Sequence, residues 1–169
     1  MPKIDLIQKK SLIISTATDC FYRITGLPQE VRKDDKERTG IQVLVREPNT
    51  RNLVFISVGT PSEAAMFFAA EKAVRSNING DNASENSANP DRMEFAGSVT
   101  CYSYEGTEVQ ASVSGLKAEE DVTVGIMVLS SIMEMTPKEV CRGVSVNGGR
   151  LPEAFSIKNH YLYPIVNGQ

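Results

Sequence analysis

Few side chains in this sequence are of types that bind ligands or transform them. The only histidine is His160, and the three cysteines are Cys20, Cys101 and Cys141. A catalytic thiol needs a neighbouring base, so His160 could activate at most one of the three. The cysteines are widely spaced and make no C-x-x-C, the pattern of free thiols in a reducing compartment. Free cysteine usually packs as a small hydrophobe. Glu119, Glu120 and Asp121 form the densest run of carboxylates in the second half. They could serve a metal or acid–base chemistry, but the first turn of a helix accounts for them through its dipole. Val146-Asn147-Gly148-Gly149-Arg150, with Arg142 nearby, could cradle an anion, although a glycine pair more often makes a turn. The Asn- and Asp-rich run at 77–91 lacks the spacing of a calcium loop. There is no nucleophile elbow, phosphate loop or zinc spacing.

The elements that must position these residues follow from periodicity. Ile7, Ile13, Ile14, Ala17, Phe21 and Ile24 recur at helical spacing over 5–24, interrupted at Lys9 and Lys10, and Gly26-Leu27-Pro28 stops the helix. The charged run QEVRKDDKERTG reads as a solvated connector. Ile41, Val43 and Val45 alternate with other side chains, Glu47-Pro48-Asn49-Thr50 turns the chain, and Asn52–Val58 runs back as a hairpin. Gly59-Thr60-Pro61-Ser62-Glu63 predicts a helix start with Thr60 as N-cap and Glu63 closing a capping box. The helix that follows offers Ala64, Phe67, Phe68, Glu71 and Val74 as its inner face. Residues 77–91 read as a mobile loop.

A second hairpin spans Phe95–Ser114, turning at Glu105-Gly106. Gly115 ends it, and a helix with Val122, Ile126, Leu129, Ile132 and Met133 as its stripe comes next. Val124, Met127, Val128 and Met135 leave other sides of that helix apolar, which argues for burial against a second copy. Thr136-Pro137-Lys138-Glu139 repeats the cap signal for a short helix ending at Gly143. In the tail, Phe155, Ile157, Tyr161 and Tyr163 fall at odd positions, as in a strand or an arm.

The chain of 169 residues favours one domain. Lys plus Arg is 18 against 21 for Asp plus Glu, a net charge of −3, which argues against a general nucleic-acid binder. The apolar stretch near Leu12–Ile14 is too short for a signal sequence, and no window is long and apolar enough for a transmembrane helix. A cytoplasmic location is the expectation. Antiparallel hairpins interleaved with helices predict an α+β fold, with helices packed on one face of the sheet.

Two stretches, IQVLVREPNTRNLVFISVGTPSEAAMFFAAEKAV and FAGSVTCYSYEGTEVQASVSGLKAEEDVTVGIMVLSSI, resemble the GlcG/HbpS-like family, also called the haem-degrading domain family. Its A-x-x-K-A helix is answered by Ala69/Ala70-Glu71-Lys72-Ala73, and its G-V-S-G strand end by Ala111-Ser112-Val113-Ser114-Gly115. Its acidic helix opening is answered by Glu119-Glu120-Asp121. The chain departs from the pattern at Glu47-Pro48-Asn49-Thr50, where the family has D-x-x-G, at Ser112 and at Lys117. The likeness covers roughly residues 10–135 of a single domain, leaving 136–169 as an appendage. It implies a layered, profilin-like or GlcG-like fold. It further implies a non-catalytic, homo-oligomeric binding protein whose ligand is haem or a related small molecule. In that reading Lys72 contacts an anion or a propionate, and Cys101, Tyr102, Glu120 and His160 are the remaining candidate ligand-binding residues. A different class also fits the resemblance: an interaction scaffold working among chaperones, with no small ligand.

Overall fold

Alternating side chains on either side of two polar turns build the sheet. The computed structural model describes residues 4–168. Strands β1 (Gly40–Arg46) and β2 (Leu53–Gly59) form the first hairpin, and β3 (Ser98–Tyr102) and β4 (Glu108–Ser114) the second. The order is β2-β1-β4-β3, and every pairing is antiparallel. The hairpins meet at the centre, where Gln42 lies opposite Ser114 and Arg46 opposite Gln110. The expected α+β architecture is therefore present, with helices on both faces of the sheet rather than one.

Strand parity separates the two faces. Val109, Ala111 and Val113 point to one side and are fully buried there. Against that side lie α1 (Lys10–Thr25) and α4 (Ala118–Met133), with Gly125 of α4 at Val99 and Ala111. Gln110, Ser112 and Ser114 point to the other side, where α3 (Glu63–Asn79) crosses. That interface is polar. Ser112 Oγ donates to Ala69 O at 2.6 Å, and Gln110 Nε2 donates to Ala73 O at 3.1 Å and Ser76 Oγ at 2.9 Å. Only small side chains let a helix come close enough for the sheet to reach its carbonyls.

The inner face of α3 accordingly consists of Ala65, Ala69, Lys72, Ala73 and Ser76. The predicted inner face is overturned, since Phe67 and Val74 point outward. The predicted cap is overturned as well. Ser62 caps α3 by accepting from Ala65 N at 3.1 Å. Thr60 instead stays with the sheet end, donating its amide to Thr39 O and accepting at its own carbonyl from Thr39 Oγ1.

Other expectations change for identifiable reasons. The charged connector contains α2 (Gln29–Arg32) and buries Arg32 and Asp34, because each finds an ion-pair partner. The loop at 77–91 is ordered by two short 3-10 turns, and Arg75 donates to the carbonyls of Ser84, Ser87 and Phe95. The apolar circumference of α4 is covered within the chain by the sheet, α1, α5 (Pro137–Val146) and α6 (Tyr163–Asn167). It therefore supplies no argument for a second copy. Thr136 forms the expected capping box with Glu139, but α5 runs past Gly143 to Val146. The tail is neither strand nor arm. Consecutive turns at Ile157–Tyr163 fold it back, burying Phe155, Leu162, Ile165 and Val166.

Candidate functional site

Two glycines open the site. Gly115 leaves β4 at φ +136°, and a Cβ there would lie 2.4 Å from Gly40 O, so only glycine lets the chain pass the start of β1. Beyond this crossing lies a cleft of about 470 Å³. It is bounded by residues 36–40, the first turn of α3 and the segment leading into α4.

Its floor is an ion pair. Lys72 is only 1% exposed, and its Nζ donates to Val113 O at 2.8 Å and to Asp121 Oδ2 at 3.1 Å. Asp121 Oδ1 also accepts from Leu116 N at 3.0 Å. Gly97 sits against the ammonium, where a Cβ would come within 2.6 Å of Nζ. Burial pushes the Asp121 carboxyl above its ordinary value, with Lys72 and the Leu116 amide opposing the rise. An ammonium carries three protons. Two have acceptors, and the third has none among the described residues.

The rim carries Lys36, Arg38 and Lys117 beside one lining carboxylate, Glu37, and Lys117 also pairs with Glu119 at 3.4 Å. Arg38 is held by Asp34 through Nε–Oδ2 at 2.7 Å and Nη2–Oδ1 at 3.2 Å, and it donates Nη1 to Gly115 O at 3.3 Å. The Arg38 hydrogen bond holds Asp34 below the usual carboxylate range. Lys117 donates to Arg32 O at 2.6 Å and lies 5.3 Å from the centre of the Tyr161 ring. As the residue before α4, Lys117 has no acceptor to offer the first-turn amides. Glu120 accepts the Lys117 amide at 3.2 Å, and the first-turn carboxylates Glu119, Glu120 and Asp121 lie at the positive end of the helix dipole. Phe68 and Phe95 form the apolar wall, edge to face at 5.2 Å.

Of the five candidate residues from sequence, only Lys72 lines this cleft. Glu120 lies just behind it, fully buried, accepting two hydrogen bonds from Arg32 and one from Tyr161 Oη at 2.8 Å. His160 stacks on Tyr161, its Nε2 lies 3.8 Å from Glu119, and its Nδ1 accepts from Leu162 N. Cys101 is buried beside Gly143 of α5, and Tyr102 is exposed at the end of β3. Burial pushes the Cys101 thiol up and those of Cys20 and Cys141 to about 12. None is a ready thiolate.

Sequence reasoning missed Arg32, Asp34, Arg38, Lys117 and the partnership of Lys72 with Asp121. The sequence carried no signal for them: every residue along 32–38 is charged, and Arg32 and Asp34 are buried and Arg38 half-buried while Lys33, Asp35, Lys36 and Glu37 are exposed. Among the described residues, no group of three or more His, Cys, Asp or Glu is arranged to hold a metal, and no helix is long and apolar enough to cross a membrane. The arrangement therefore offers a cation-rimmed recess with a spare buried proton donor, suited to holding an anion. Comparison with family models, with curated proteins and with solved structures finds no match.

Proposed function

We propose that the protein is a non-catalytic binding protein that takes a small organic anion in the cleft between α3 and α4. The observation that supports this most is the buried Lys72 ammonium with an unfilled donor beneath the rim formed by Lys36, Arg38 and Lys117. Charge-assisted bonds from several such donors reward an anion more than any neutral guest. The Phe68–Phe95 wall gives the anion's carbon body a surface to pack on. The GlcG/HbpS-like resemblance supports the same class of function. It would place haem here with its propionates on the cations, yet the lining of this cleft includes no His, Met, Cys or Tyr. A simpler organic anion fits better. Assembly with a second copy belongs to the same reading. Its support is the exposed pair Leu53 and Phe55 on the edge strand β2.

Titration of isotope-labelled protein with phenyl phosphate, followed by NMR, tests the reading. Saturable shifts are expected at the amides of 62–65, 97 and 115–121. The double variant Arg38→Ala/Lys117→Ala should weaken binding by roughly tenfold or more. No shift at these amides at millimolar probe would overturn the reading and favour a scaffold without a small ligand. A Soret shift with haemin that survives loss of Arg38 and Lys117 would also count against it.

A further inference from the structure

A second concavity adjoins the first. It is a shallow groove of about 580 Å³ on the outer side of α3, with Phe67 and Met93 as its apolar base. These two side chains are 65% and 59% exposed. Ala64 and Phe68 line both the groove and the cleft, so one wall separates them and each opens at its edge. Phe67, Phe68 and Phe95 make a continuous row, edge to face at 5.3 and 5.2 Å, leading from the open groove to the cationic recess.

The two ends differ in charge. The cleft rim carries Lys36, Arg38 and Lys117 beside Glu37; Arg38 is paired with Asp34 and Lys117 with Glu119 at 3.4 Å, while Lys36 has no ion-pair partner among the described residues. The groove rim carries Glu63, Glu71 and Glu94. Arg75 pairs with Glu71 at 2.7 Å and Arg92 with Glu94 at 3.4 Å, while Glu63 has no ion-pair partner among the described residues. The charges left without an ion-pair partner among the described residues are Lys36 at the cleft and Glu63 at the groove, so an anionic head is favoured at the cleft, and a tail too long for the Phe68–Phe95 wall finds its further cover on Phe67 and Met93.

We infer that cleft and groove are two halves of one site, and that its ligand is an amphipathic carboxylate whose alkyl chain runs over Phe68 onto Phe67 and Met93. The inference rests on the anion-binding reading of the cleft and adds the class of ligand. A chain laid along this row buries methylenes one after another, each adding a similar increment of affinity.

The test is a homologous series of linear carboxylates, from butanoate through hexanoate to octanoate, titrated against the whole protein with the cleft amides as the readout. Affinity should rise roughly fourfold per added methylene. Phe67→Ser and Met93→Ser should each flatten that rise and leave butanoate affinity unchanged. Both positions are exposed, so the fold does not depend on them. Phe55→Ser, on the far edge strand, should leave the rise intact. A flat series in the unaltered protein overturns the inference, as does a rise that survives both groove variants or is lost equally in Phe55→Ser. Butanoate binding with a flat series would sink the shared site alone. Failure of butanoate and phenyl phosphate alike would sink the anion-binding reading beneath it.

Discussion

Arg32 donates to both carboxylate oxygens of Glu120, at 2.9 and 2.7 Å, across 88 positions of sequence, and both side chains are buried. This two-point bond fastens the segment that carries Lys36 and Arg38 to the start of α4. It places the cations at the rim without taking part in it.

Removing one partner strands the other. Glu120→Ala leaves a buried guanidinium facing only Asp34, which should cost about 3–5 kcal/mol. The double variant Arg32→Met/Glu120→Leu should regain most of that loss, since an apolar pair removes both charges together. Urea denaturation of the unaltered protein and these two variants measures both. A loss below about 1 kcal/mol for Glu120→Ala would show that the pair carries no such weight.

Acid should loosen the same region through Asp34. Its folded-state value is held below the ordinary 3.8, first by the Arg38 hydrogen bond, against the opposing effect of burial. The stabilisation is therefore complete above 3.8 and is lost as pH falls through the depressed value. The thermal midpoint of the unaltered protein should fall more steeply over this acid range than that of Asp34→Asn. The elevated carboxyl of Asp121 shifts in the opposite sense but is common to both proteins, so it cancels in the comparison. Parallel midpoint curves would refute the assignment.

The helix cap offers a plainer check. Ser62→Ala removes the acceptor for the Ala65 amide and should cost about 1 kcal/mol. Thr60→Ala removes a side chain that makes no cap and should cost less. Equal losses in chemical denaturation would return the cap to Thr60.

What the sequence shows well is the part of the fold governed by local periodicity. The four strands, the α4 stripe and the Thr136 box rest on near neighbours, and they are present. Hydrophobicity alone misplaces the inner face of α3. The sheet there presents Gln110 and Ser112, which need backbone carbonyls rather than phenyl rings, so alanines turn in and Phe67 turns out. The site was mostly hidden for a related reason. Lys72 and Asp121 lie 49 positions apart and Arg32 and Glu120 lie 88 apart, and a charge pattern in one dimension does not say which opposite charge will meet it. In the tail, turns closed by His160 N to Ile157 O and Tyr163 N to His160 O fold the stretch whose odd-position alternation reads as a strand.

The two central strands come from opposite halves of the chain, β1 before residue 47 and β4 after residue 107. Cut at Gly80, the exposed end of α3, the polypeptide yields two fragments, each with one hairpin and one bare inner edge. Neither fragment owns the recess, because Arg38 travels with the first and Asp121 with the second. Reconstitution of the fragments would restore the recess only by re-forming the central seam, making complementation of the halves a direct report on whether the site is whole.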